Sequence, residues 1–424
     1  LERVDKGVEL RALSPIVHQI SALAESPQSS VESITRAIKQ DPAICVKILK
    51  VANSAVYAGS PPVENVHKAV MRIGLGQIRQ AVGSLAVVDR FGETALGQRI
   101  SAQEFWEHSI ACGLLASAIA KARGLRDEEA DSCFTAGLLH DVGRVICAGE
   151  LGEQYAAVLR EADRLALPLE LLETRMLGAG HAEIAERVLR AWKFPAHLVT
   201  PIALHHLSLG TLRSTAPRAV AEAATLSLAN RLAHCLMLGQ SGNDTVHAGR
   251  DMAAALSLTP ETIARICAAV PEQTADLKLA LLARGGGSVD RKEPEWMGLL
   301  PPKKDLRLAY LSTQPVLDGL GLLCRRLGPR QDQEAPTAAV VYLANVKEQE
   351  PLIAELGALE HEHGVRGVPV VVLSAGGNLP LDPRLGQERP CVQLPTPVHL
   401  RRLAAALGEV LGAGGGQMDP ATGA

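Results

Sequence analysis

Aromatic residues are scarce in this chain of 424 residues, which contains three Trp, four Tyr and four Phe. Single-stranded nucleic acids are held largely by stacking of bases on aromatic rings, so the sequence offers little for that mode of binding. An excess of charge is also missing, since 43 Lys and Arg face 46 Asp and Glu, a formal net charge of −3. A chain-wide basic field for nucleic acid or an anionic membrane is therefore excluded.

Paired cysteines and long apolar runs are absent too. The eight cysteines stand alone with no C-x-x-C spacing, which is typical of reduced thiols packed as small hydrophobes. No apolar run reaches the roughly 18 residues that a membrane-spanning helix needs, and the first residues do not resemble a secretory signal. The sequence therefore predicts a cytoplasmic protein without a membrane partner. The chain begins at Leu1 and not at Met, so we expect a missing upstream segment.

Helical patterns dominate the first two thirds of the chain. Residues 10–95 read as short helices, and residues 100–282 as longer helices rich in Ala and Leu, without a predicted strand. Capping patterns mark several expected helix ends. These are the Ser29 and Glu32 capping box, the Asp41-Pro42 start, the Asn65 cap and the Gly74 stop.

A stretch rich in glycine and proline, residues 283–304, is predicted to be a linker. After it, strand-like segments such as "AAVVYLA" and "VPVVVLSA" alternate with helical ones, so residues 305–413 are predicted to form a small parallel α/β sheet. Residues 305–424 carry 10 basic and 13 acidic side chains, which accounts for the whole net charge. The last residues, 414–424, are predicted to be disordered.

Histidines are distributed unevenly, with 13 in the chain and six of them between residues 101 and 210. Neutral imidazole and carboxylate are common ligands of divalent transition metals. Neighbouring residues of a helix point about 100° apart, so a His-Asp doublet suits two adjacent metals better than two bonds to one ion. Such a centre would let a metal-activated water attack phosphorus. The candidate ligands are His108, His140, Asp141, His181, His205 and His206.

Less specific interpretations stay open. A lone helical histidine is more often an ordinary core or surface residue, and His197 and His234 are assigned to that class together with the histidines outside the cluster. For the candidate ligands, the alternative is a former metal site that is retained as a buried hydrogen-bond network.

At these residues the chain resembles the HDOD proteins, bacterial regulatory relatives of the HD phosphohydrolases. The resemblance rests on "SITRAIKQDPAICVKILKVANSAVYAG", "AVMRIGLGQIRQAV", "FWEHSIACG", "FTAGLLHDVGRVI", "GAGHAEIAERVLRAWKFP" and "IALHH", in the family's order over roughly residues 10–282. It implies an all-α domain, an HD-type helical bundle, with the histidine pocket in its second half. It also implies a signalling role, because enzymatic activity is generally not established for this family.

The related HD-GYP branch hydrolyses cyclic di-GMP at a two- or three-metal site, and this chain keeps only part of that pattern. Leu207 follows the second histidine doublet where that branch has Glu, and no Gly-Tyr-Pro follows. Arg144 replaces a Lys, and Asn230 replaces the last metal-binding Asp. Arg144 and Asn230 are candidates for contacts with a phosphate or another ligand, because guanidinium pairs well with phosphate oxygens. The alternative for Arg144 is a solvated helix end.

The segment 305–413 resembles a two-component receiver, a flavodoxin-like fold, that has lost its chemistry. Ser312 and Thr313 stand where a receiver has its acidic pair, and Thr396 stands where it has its lysine, whereas Ser374 matches the usual hydroxyl position. The resemblance therefore implies a degenerate site without phosphorylation, and a role in docking. Another kind of flavodoxin-like module is the alternative.

Three functions remain open at this point. The first is a non-catalytic signalling protein whose HD-type pocket is structural or senses a metal or ligand, with other signalling proteins or a second copy as partners. The second is a metal-dependent phosphohydrolase acting on a nucleotide or cyclic dinucleotide, with Fe, Mn or Mg as cofactor. The third is a nucleic-acid-binding regulator, which the balanced charge and the few aromatics disfavour.

Overall fold

A computed structural model shows a helical part followed by an α/β part. The predicted tail at 414–424 and the predicted cap residue Ser29 lie outside the residues that the structure describes. The described residues are 19–20, 22–23, 30–54, 57, 62–91, 96, 100–282, 295–302, 305–314, 318–331, 333–377, 379–386 and 389–412.

The helical part consists of packed helices joined by short connections, and one large apolar core runs through it. Its helices are α1 (Val31–Ile38), α2 (Pro42–Ala52), α3 (Val66–Ile73), α4 (Leu75–Phe91), α5 (Ala102–Ala122), α6 (Asp127–Leu139), α7 (Val142–Leu151), α8 (Glu153–Leu165), α9 (Leu169–Leu177), α10 (His181–Ala191), α11 (Ala196–Leu204), α12 (Leu209–Thr215), α13 (Val220–Cys235), α14 (Arg250–Ala255) and α15 (Pro260–Leu282). A 3-10 turn, Pro217–Ala219, precedes α13.

Capping side chains begin these helices largely where the sequence predicts them. The side chain of Asn65 accepts the N–H of Lys68 at 2.9 Å, and Gly74 ends α3 with a φ of +90°. The predicted capping box at α1 is wrong by one position, because Ser30 is the cap and the Ser33 hydroxyl completes the box. Ser33 thus has the role in the capping box that the sequence pattern assigned to Glu32.

Two glycines bring the central helices α5 and α6 unusually close. A Cβ placed on Gly137 would lie 2.5 Å from the Cα of Gly113. Any larger side chain at this crossing would force the helices apart. The contact matters for the site, because α5 and the end of α6 carry candidate ligands.

The α/β part is built on a four-stranded parallel sheet in the order β2-β3-β4-β5. One face packs against α16 and α18, and the other face packs against α17. Residues alternate between the faces, as in any strand. The elements are β2 (Leu308–Leu311), α16 (Leu320–Leu327), β3 (Ala338–Leu343), α17 (Gln349–Glu362), β4 (Val370–Ala375), β5 (Cys391–Thr396), β6 (Val398–His399) and α18 (Leu400–Val410), with 3-10 turns at Val346–Glu348 and Pro383–Leu385.

A short strand joins the two parts. Thr245–Val246 (β1) of the helical part pairs antiparallel with β6, in the register Thr245 to His399 and Val246 to Val398. The expectation that residues 100–282 contain no strand is wrong here. A strand of two residues is too short to show a periodic sequence pattern. Thr245 and Val246 are extended because they pair with β6 of the α/β part.

The predicted linker at 283–304 also differs in its described portion. Residues Glu295–Leu299 form a 3-10 helix, and Trp296 is 1% exposed in the core between the sheet and α18. Burial of a large indole outweighs the glycine and proline content of the surrounding stretch. In the described part of the chain, we find no helix whose length and apolarity would suit a membrane span.

Candidate metal centre

The six predicted ligands lie together, and we call them the His/Asp centre. All are 0–2% exposed except His206, which is partly buried. Five structural elements contribute to the set. They are α5 with His108, the junction of α6 and α7 with His140 and Asp141, the first position of α10 with His181, and the end of α11 with His205 and His206.

A glycine permits the contact between two of these elements. A Cβ on Gly143 would lie 2.0 Å from the carbonyl oxygen of His181. Only glycine therefore lets the start of α7 touch the start of α10, which brings His181 to Asp141.

Four imidazole Nε2 atoms converge on the carboxylate of Asp141. They lie 3.1 Å (His181), 3.3 Å (His140), 3.8 Å (His205) and 4.0 Å (His108) from its nearer oxygen. The Nε2 of His206 lies 3.0 Å from that of His181. Asp141 is thus the hub of the centre.

Backbone hydrogen bonds on the opposite ring nitrogens orient two of these rings. The Nδ1–H of His140 donates to the carbonyl of Gly137 at 2.8 Å, and that of His205 donates to the carbonyl of Ile202 at 2.6 Å. A carbonyl can only accept, so in the neutral rings Nε2 carries the lone pair toward Asp141. Both of these Nε2 atoms are buried without a hydrogen-bond partner among the described residues. This donor set fits a divalent transition metal.

Charge in the centre is set by burial and by Asp141. Burial and the positive field of His140 lower the pKa of His108 to about 3, and burial lowers the pKa of His205 well below its ordinary value. Burial also opposes charge on His140, but the Asp141 carboxylate outweighs it and raises the pKa of that ring. Burial alone would raise the pKa of Asp141, yet Arg144 and His140 hold it well below the ordinary value.

Two overlapping groups could hold cations. Asp141 belongs to both, and within each group the candidate ligand atoms lie within 4.8 Å of one another. One group is Asp141 with His181, His205 and His206, and the other is Asp141 with His108 and His140. A carboxylate shared in this way is suited to bridging two ions.

Arg144 is part of the centre and not a solvated helix end, so that alternative is wrong. Its side chain is fully buried, and its Nη1 lies 2.8 Å from Oδ2 of Asp141. The same nitrogen donates to the carbonyl and hydroxyl of Ser241 at 2.9 and 2.7 Å. Burial opposes this charge, but the Asp141 and Glu173 carboxylates outweigh it and raise the pKa of Arg144. Contact with a phosphate stays a prediction.

Asn230 lies beside His108, and its amide oxygen is 3.1 Å from Nε2 of that ring. It is 6% exposed. Where a carboxylate could bind a cation, this amide accepts a hydrogen bond from the imidazole. Its role toward a ligand stays a prediction.

His234 is a member of this cluster that the sequence analysis assigned to ordinary histidines. Its ring centroid lies 4.5 Å from that of His108, and its Nε2 is buried without a hydrogen-bond partner among the described residues. A signal existed, because His234 follows Asn230 by four positions on α13 and therefore shares its face.

Glu173 was also missed, and it holds His181 in place. Its Oε2 accepts from the ring Nδ1–H of His181 at 2.5 Å and from the backbone N–H at 2.8 Å. Its other oxygen accepts from the hydroxyl of Tyr155 at 2.7 Å. Nothing in the local sequence of α9 distinguishes this glutamate from a surface one.

The segment 236–249, which we call the cover, closes the centre on one side. Gly239, at a φ of +67°, lies so close to α5 that a Cβ would sit 2.3 Å from the carbonyl of Glu104. Asn243 donates to Glu170 at 3.1 Å. A cavity of about 20 Å³ remains between the cover and the centre, lined partly by His205, His206 and Asn230.

The four predicted receiver-site residues lie at the carboxyl ends of strands β2, β4 and β5. Ser312 is buried and donates to Asp318, whereas Thr313 is exposed. Ser374 is buried, and the hydroxyl of Thr396 donates to its carbonyl at 3.3 Å.

Comparison with known proteins finds matches to the helical part. The model of the HDOD domain family matches residues 10–208. An HDOD domain protein of unknown function from Geobacter sulfurreducens has a TM-score of 0.50 and 23% identity, over 62% of this chain and 93% of that chain. A candidate phosphohydrolase from Shewanella amazonensis has a TM-score of 0.49 and 21% identity, over 66% of this chain and 98% of that chain.

A curated sequence relative comes from Treponema pallidum (strain Nichols) and is itself uncharacterised. It is 27% identical over 188 residues, which are 44% of this chain. This chain covers 36% of the length of that relative. Residues 10–208, just under half of the chain, thus match the HDOD family model, and the helical part is similar in fold to the Geobacter sulfurreducens protein.

Proposed function

We propose that this chain is a non-catalytic signal-transduction protein, in which the His/Asp centre is a structural or metal-sensing core and the α/β part is an interaction module. The closure of the centre carries the proposal. Arg144 is bound to Asp141 at 2.8 Å, and the cavity beside the centre measures only about 20 Å³.

A cavity of this size admits an ion or a water but no nucleotide. One water needs roughly 10–15 Å³ of such space, whereas small-molecule pockets span about 300–1,000 Å³. A nucleotide or cyclic dinucleotide could reach Asp141 only after the cover moved away.

The charge distribution also disfavours phosphohydrolysis. In that reaction divalent cations activate water and bind the phosphate oxygens. Arg144 already supplies a positive charge to Asp141, the one carboxylate in the predicted ligand set, and Asn230 supplies no second carboxylate. Two dications sharing Asp141 would therefore be repelled by this buried guanidinium as well as by each other, in surroundings where screening is weak.

A single divalent ion remains compatible with the imidazoles. His140, His205 and Asp141 present the unpartnered atoms that would hold it. When bound, such an ion would supply Lewis-acid character and a crosslink between helices. His140 follows α6 and His205 follows α11, so a bound ion would link the ends of these two helices.

The α/β part supports an interaction role through its resemblance to a receiver. The N–H of Leu308 donates to the carbonyl of Gly328 at 3.0 Å, which puts Gly328 on the free edge of β2, where a receiver has its second strand. We interpret the part as a degenerate receiver in which that strand is reduced to a single contact.

An arginine from the helical part fills the carboxyl end of the sheet, the place where α/β folds bind ligands. Arg250 donates to Asp318 at 2.7 Å, to Glu348 at 2.8 Å and to Ser312 at 2.8 Å, and its guanidinium lies 5.3 Å from the ring centre of Tyr342. In this interpretation, the site that corresponds to a receiver's active site serves as a contact between the two parts.

The same contact region connects to the cover. Strand β1 lies in the cover and pairs with β6, and the N–H of Gly249 donates to the carbonyl of Asp318 at 3.0 Å. A partner that binds the α/β part could therefore shift the cover and the centre. Another signalling protein or a second copy of the chain is the partner class that this arrangement suits.

Phosphohydrolase activity is the second candidate, and one observation favours it. The Nε2 atoms of His140 and His205 point toward Asp141 without hydrogen-bond partners among the described residues, as metal ligands would. In that case Fe, Mn or Mg would be the cofactor, and the substrate would enter after movement of the cover.

Metal analysis with an unfolding measurement tests the sensing role. The full chain, purified without chelator, is compared with His140→Ala, in the presence and absence of Mn²⁺. We expect Mn²⁺ to raise the melting temperature of the wild type and not that of the variant, without phosphate-ester turnover. Turnover that requires His140 would favour the second candidate instead.

A further inference from the structure

A second, much larger cavity lies in the helical part outside the His/Asp centre. It measures about 420 Å³, within the range of about 300–1,000 Å³ that is typical of small-molecule sites. Helices α4, α5, α6, α11 and α13 contribute to its walls. It therefore lies between α4 of the N-terminal half and helices that carry or adjoin the centre.

The large cavity is distinct from the centre but close to it along the chain. Ala136, Pro201 and Leu226 line it. Four positions further along the same helical segments come His140, His205 and Asn230, respectively, which belong to the centre or lie beside it. Four helical residues rise about 6 Å. None of the six ligands lines this cavity.

Three polar side chains form one wall of the large cavity and interact only weakly with one another. Gln80, Ser132 and His197 line it. Gln80 lies 3.3 Å from Ser132 and 3.4 Å from His197, at the long limit for hydrogen bonds. An amide, a hydroxyl and an imidazole together offer both donors and acceptors, and a ligand can replace such long contacts at little cost.

The remaining walls are largely apolar, with Gln77 and Thr225 as further polar members, and the rim is acidic. Ala116, Leu125, Ala136, Pro201 and Leu226 supply the apolar surface. At the rim are one guanidinium, that of Arg126, and three carboxylates, those of Glu128, Glu129 and Glu222. Glu129 is the direct partner of Arg126 at 3.2 Å. Arg123 adds a second guanidinium beside the cavity, 2.8 Å from the hydroxyl of Thr225. The three carboxylates still exceed the two guanidiniums, and this excess of negative charge disfavours phosphates and other anions.

We propose that this cavity is a binding site for an uncharged nitrogen heterocycle of nucleoside type. The apolar walls would pack against the ring, and Gln80, Ser132 and His197 would pair with the donors and acceptors on its edge. The acidic rim selects against the phosphorylated forms. The site does not require metal at the His/Asp centre, so it stands apart from the function proposed above.

Calorimetric titration of the full chain tests the proposal. The probes are adenosine, guanosine, cytidine and uridine, each next to its 5′-monophosphate. We expect at least one nucleoside to bind with a Kd below about 1 mM, and its monophosphate to bind at least about tenfold more weakly because of the rim carboxylates. Absence of binding by all four, or equal binding of the monophosphate, overturns the proposal.

Two wall variants place the binding in the large cavity. Gln80→Ala removes an amide whose contacts in the wall are long, and Ser132→Ala removes a hydroxyl that bonds the carbonyl of Glu128 at 3.0 Å on the exposed side of α6. The fold should therefore persist in both variants, and the melting temperature verifies this. Each should weaken nucleoside binding by about tenfold. Gln154→Ala, at an exposed position of α8, is the matched control and should bind as the wild type does. Unchanged binding in both wall variants overturns the proposal.

Cys133 gives a direct readout of occupancy. It lines the cavity, and burial raises its thiol pKa to about 11, so alkylation is slow. The bound nucleoside should slow it further, while Cys45 and Cys391, which lie elsewhere and are also partly buried, should react at unchanged rates. Equal alkylation of Cys133 with and without nucleoside would contradict binding at this place.

Discussion

At the scale of single residues, Asp131 is a buried acid outside the His/Asp centre. It lies on α6 and is 8% exposed. Burial raises its pKa to about 6, although Lys121 opposes the shift. Its carboxylate at neutral pH is therefore a cost to the folded state.

The variant Asp131→Asn should be more stable than the wild type above pH 6. The folded pKa of Asp131 lies above the unfolded value, so stability is lost as pH rises from about 4 to 6. Replacement by a neutral amide removes this loss. We expect the free energy of unfolding to rise by about 1–2 kcal/mol at pH 8, measured by urea denaturation.

The gain should vanish near pH 4, where the carboxyl is protonated in both states. Asp127→Asn is the control, since the side chain of Asp127 on the same helix is 92% exposed, and it should change stability little at either pH. A gain that persists at pH 4 would contradict the assignment to this ionisation.

The variant Arg144→Met tests whether the charges of the His/Asp centre balance one another. Arg144→Met leaves Asp141 buried and without its guanidinium, so we expect a loss of about 3–5 kcal/mol in the free energy of unfolding. Mn²⁺ should restore part of it, because a cation can then take the place of the guanidinium. Urea denaturation with and without Mn²⁺ measures both effects.

An exposed arginine provides the comparison. Arg190→Met on α10 removes a surface pair with Glu186 at 2.8 Å and should cost no more than about 1 kcal/mol, without a response to Mn²⁺. Equal losses of unfolding free energy in the two variants would mean that the buried Arg144–Asp141 contact stabilises the fold no more than a surface ion pair does.

Residue-scale prediction from the sequence succeeded where a pattern was local. The candidate ligands could be predicted because five histidines and Asp141 lie in one stretch of the chain, four of these six residues in the doublets 140–141 and 205–206. Glu173 was missed because its partner, His181, lies eight positions away, across the turn between α9 and α10. Arg144 was recognised as notable, but its burial against Ser241 depends on the cover, which no nearby residue encodes.

At the scale of elements, the crossing of α5 and α6 depends on glycine. In Gly137→Ala the new Cβ would meet backbone atoms of Gly113 at 2.5 Å, and backbone cannot rotate away. We expect a loss of about 1–3 kcal/mol in the free energy of unfolding, as for other overpacked cores, together with a weaker Mn²⁺ response, since His140 follows this helix.

Gly149→Ala in α7 is the matched control. A Cβ there would meet nothing within 4 Å, and alanine is the better helix former, so we expect a gain of about 0.5–1 kcal/mol. Opposite signs for the two substitutions in chemical denaturation are the expected result, and losses in both would contradict the packing argument.

Helices with a clear hydrophobic periodicity or a capping residue could be predicted from the sequence. Short strands that depend on a distant pairing partner could not. Asn65 and Gly74 mark both ends of α3 in the sequence and in the structure. Strand β1 has only two residues and exists through its pairing with β6, which lies about 150 residues further along the chain. The helix at Trp296 was masked by the glycine-rich stretch before it.

At the scale of the whole molecule, Arg250 couples the two parts. Arg250→Met leaves Asp318 buried without its cationic partner, so the contact between the parts should loosen. We expect hydrogen exchange in residues 244–249 and at the amide of Leu400 to accelerate about tenfold, which corresponds to about 1.4 kcal/mol. Peptide-resolved deuterium exchange measures this directly.

Lys347→Met is the control for that experiment, because Lys347 is exposed on the α/β part and should leave exchange in the cover unchanged. If Arg250→Met also leaves it unchanged, the strand pairing alone holds the cover. The sequence predicted the division into a helical and an α/β part from the change in pattern. It could not predict this contact, since Arg250 and Asp318 are far apart and neither belongs to a motif.

We propose that the closed His/Asp centre does not catalyse phosphate-ester hydrolysis. The most direct measurement is turnover of bis(p-nitrophenyl) phosphate and of cyclic di-GMP by the full chain in Mn²⁺ or Fe²⁺, beside His140→Ala. We expect equal, background rates for the two proteins. Turnover by the wild type that His140→Ala abolishes would contradict this proposal.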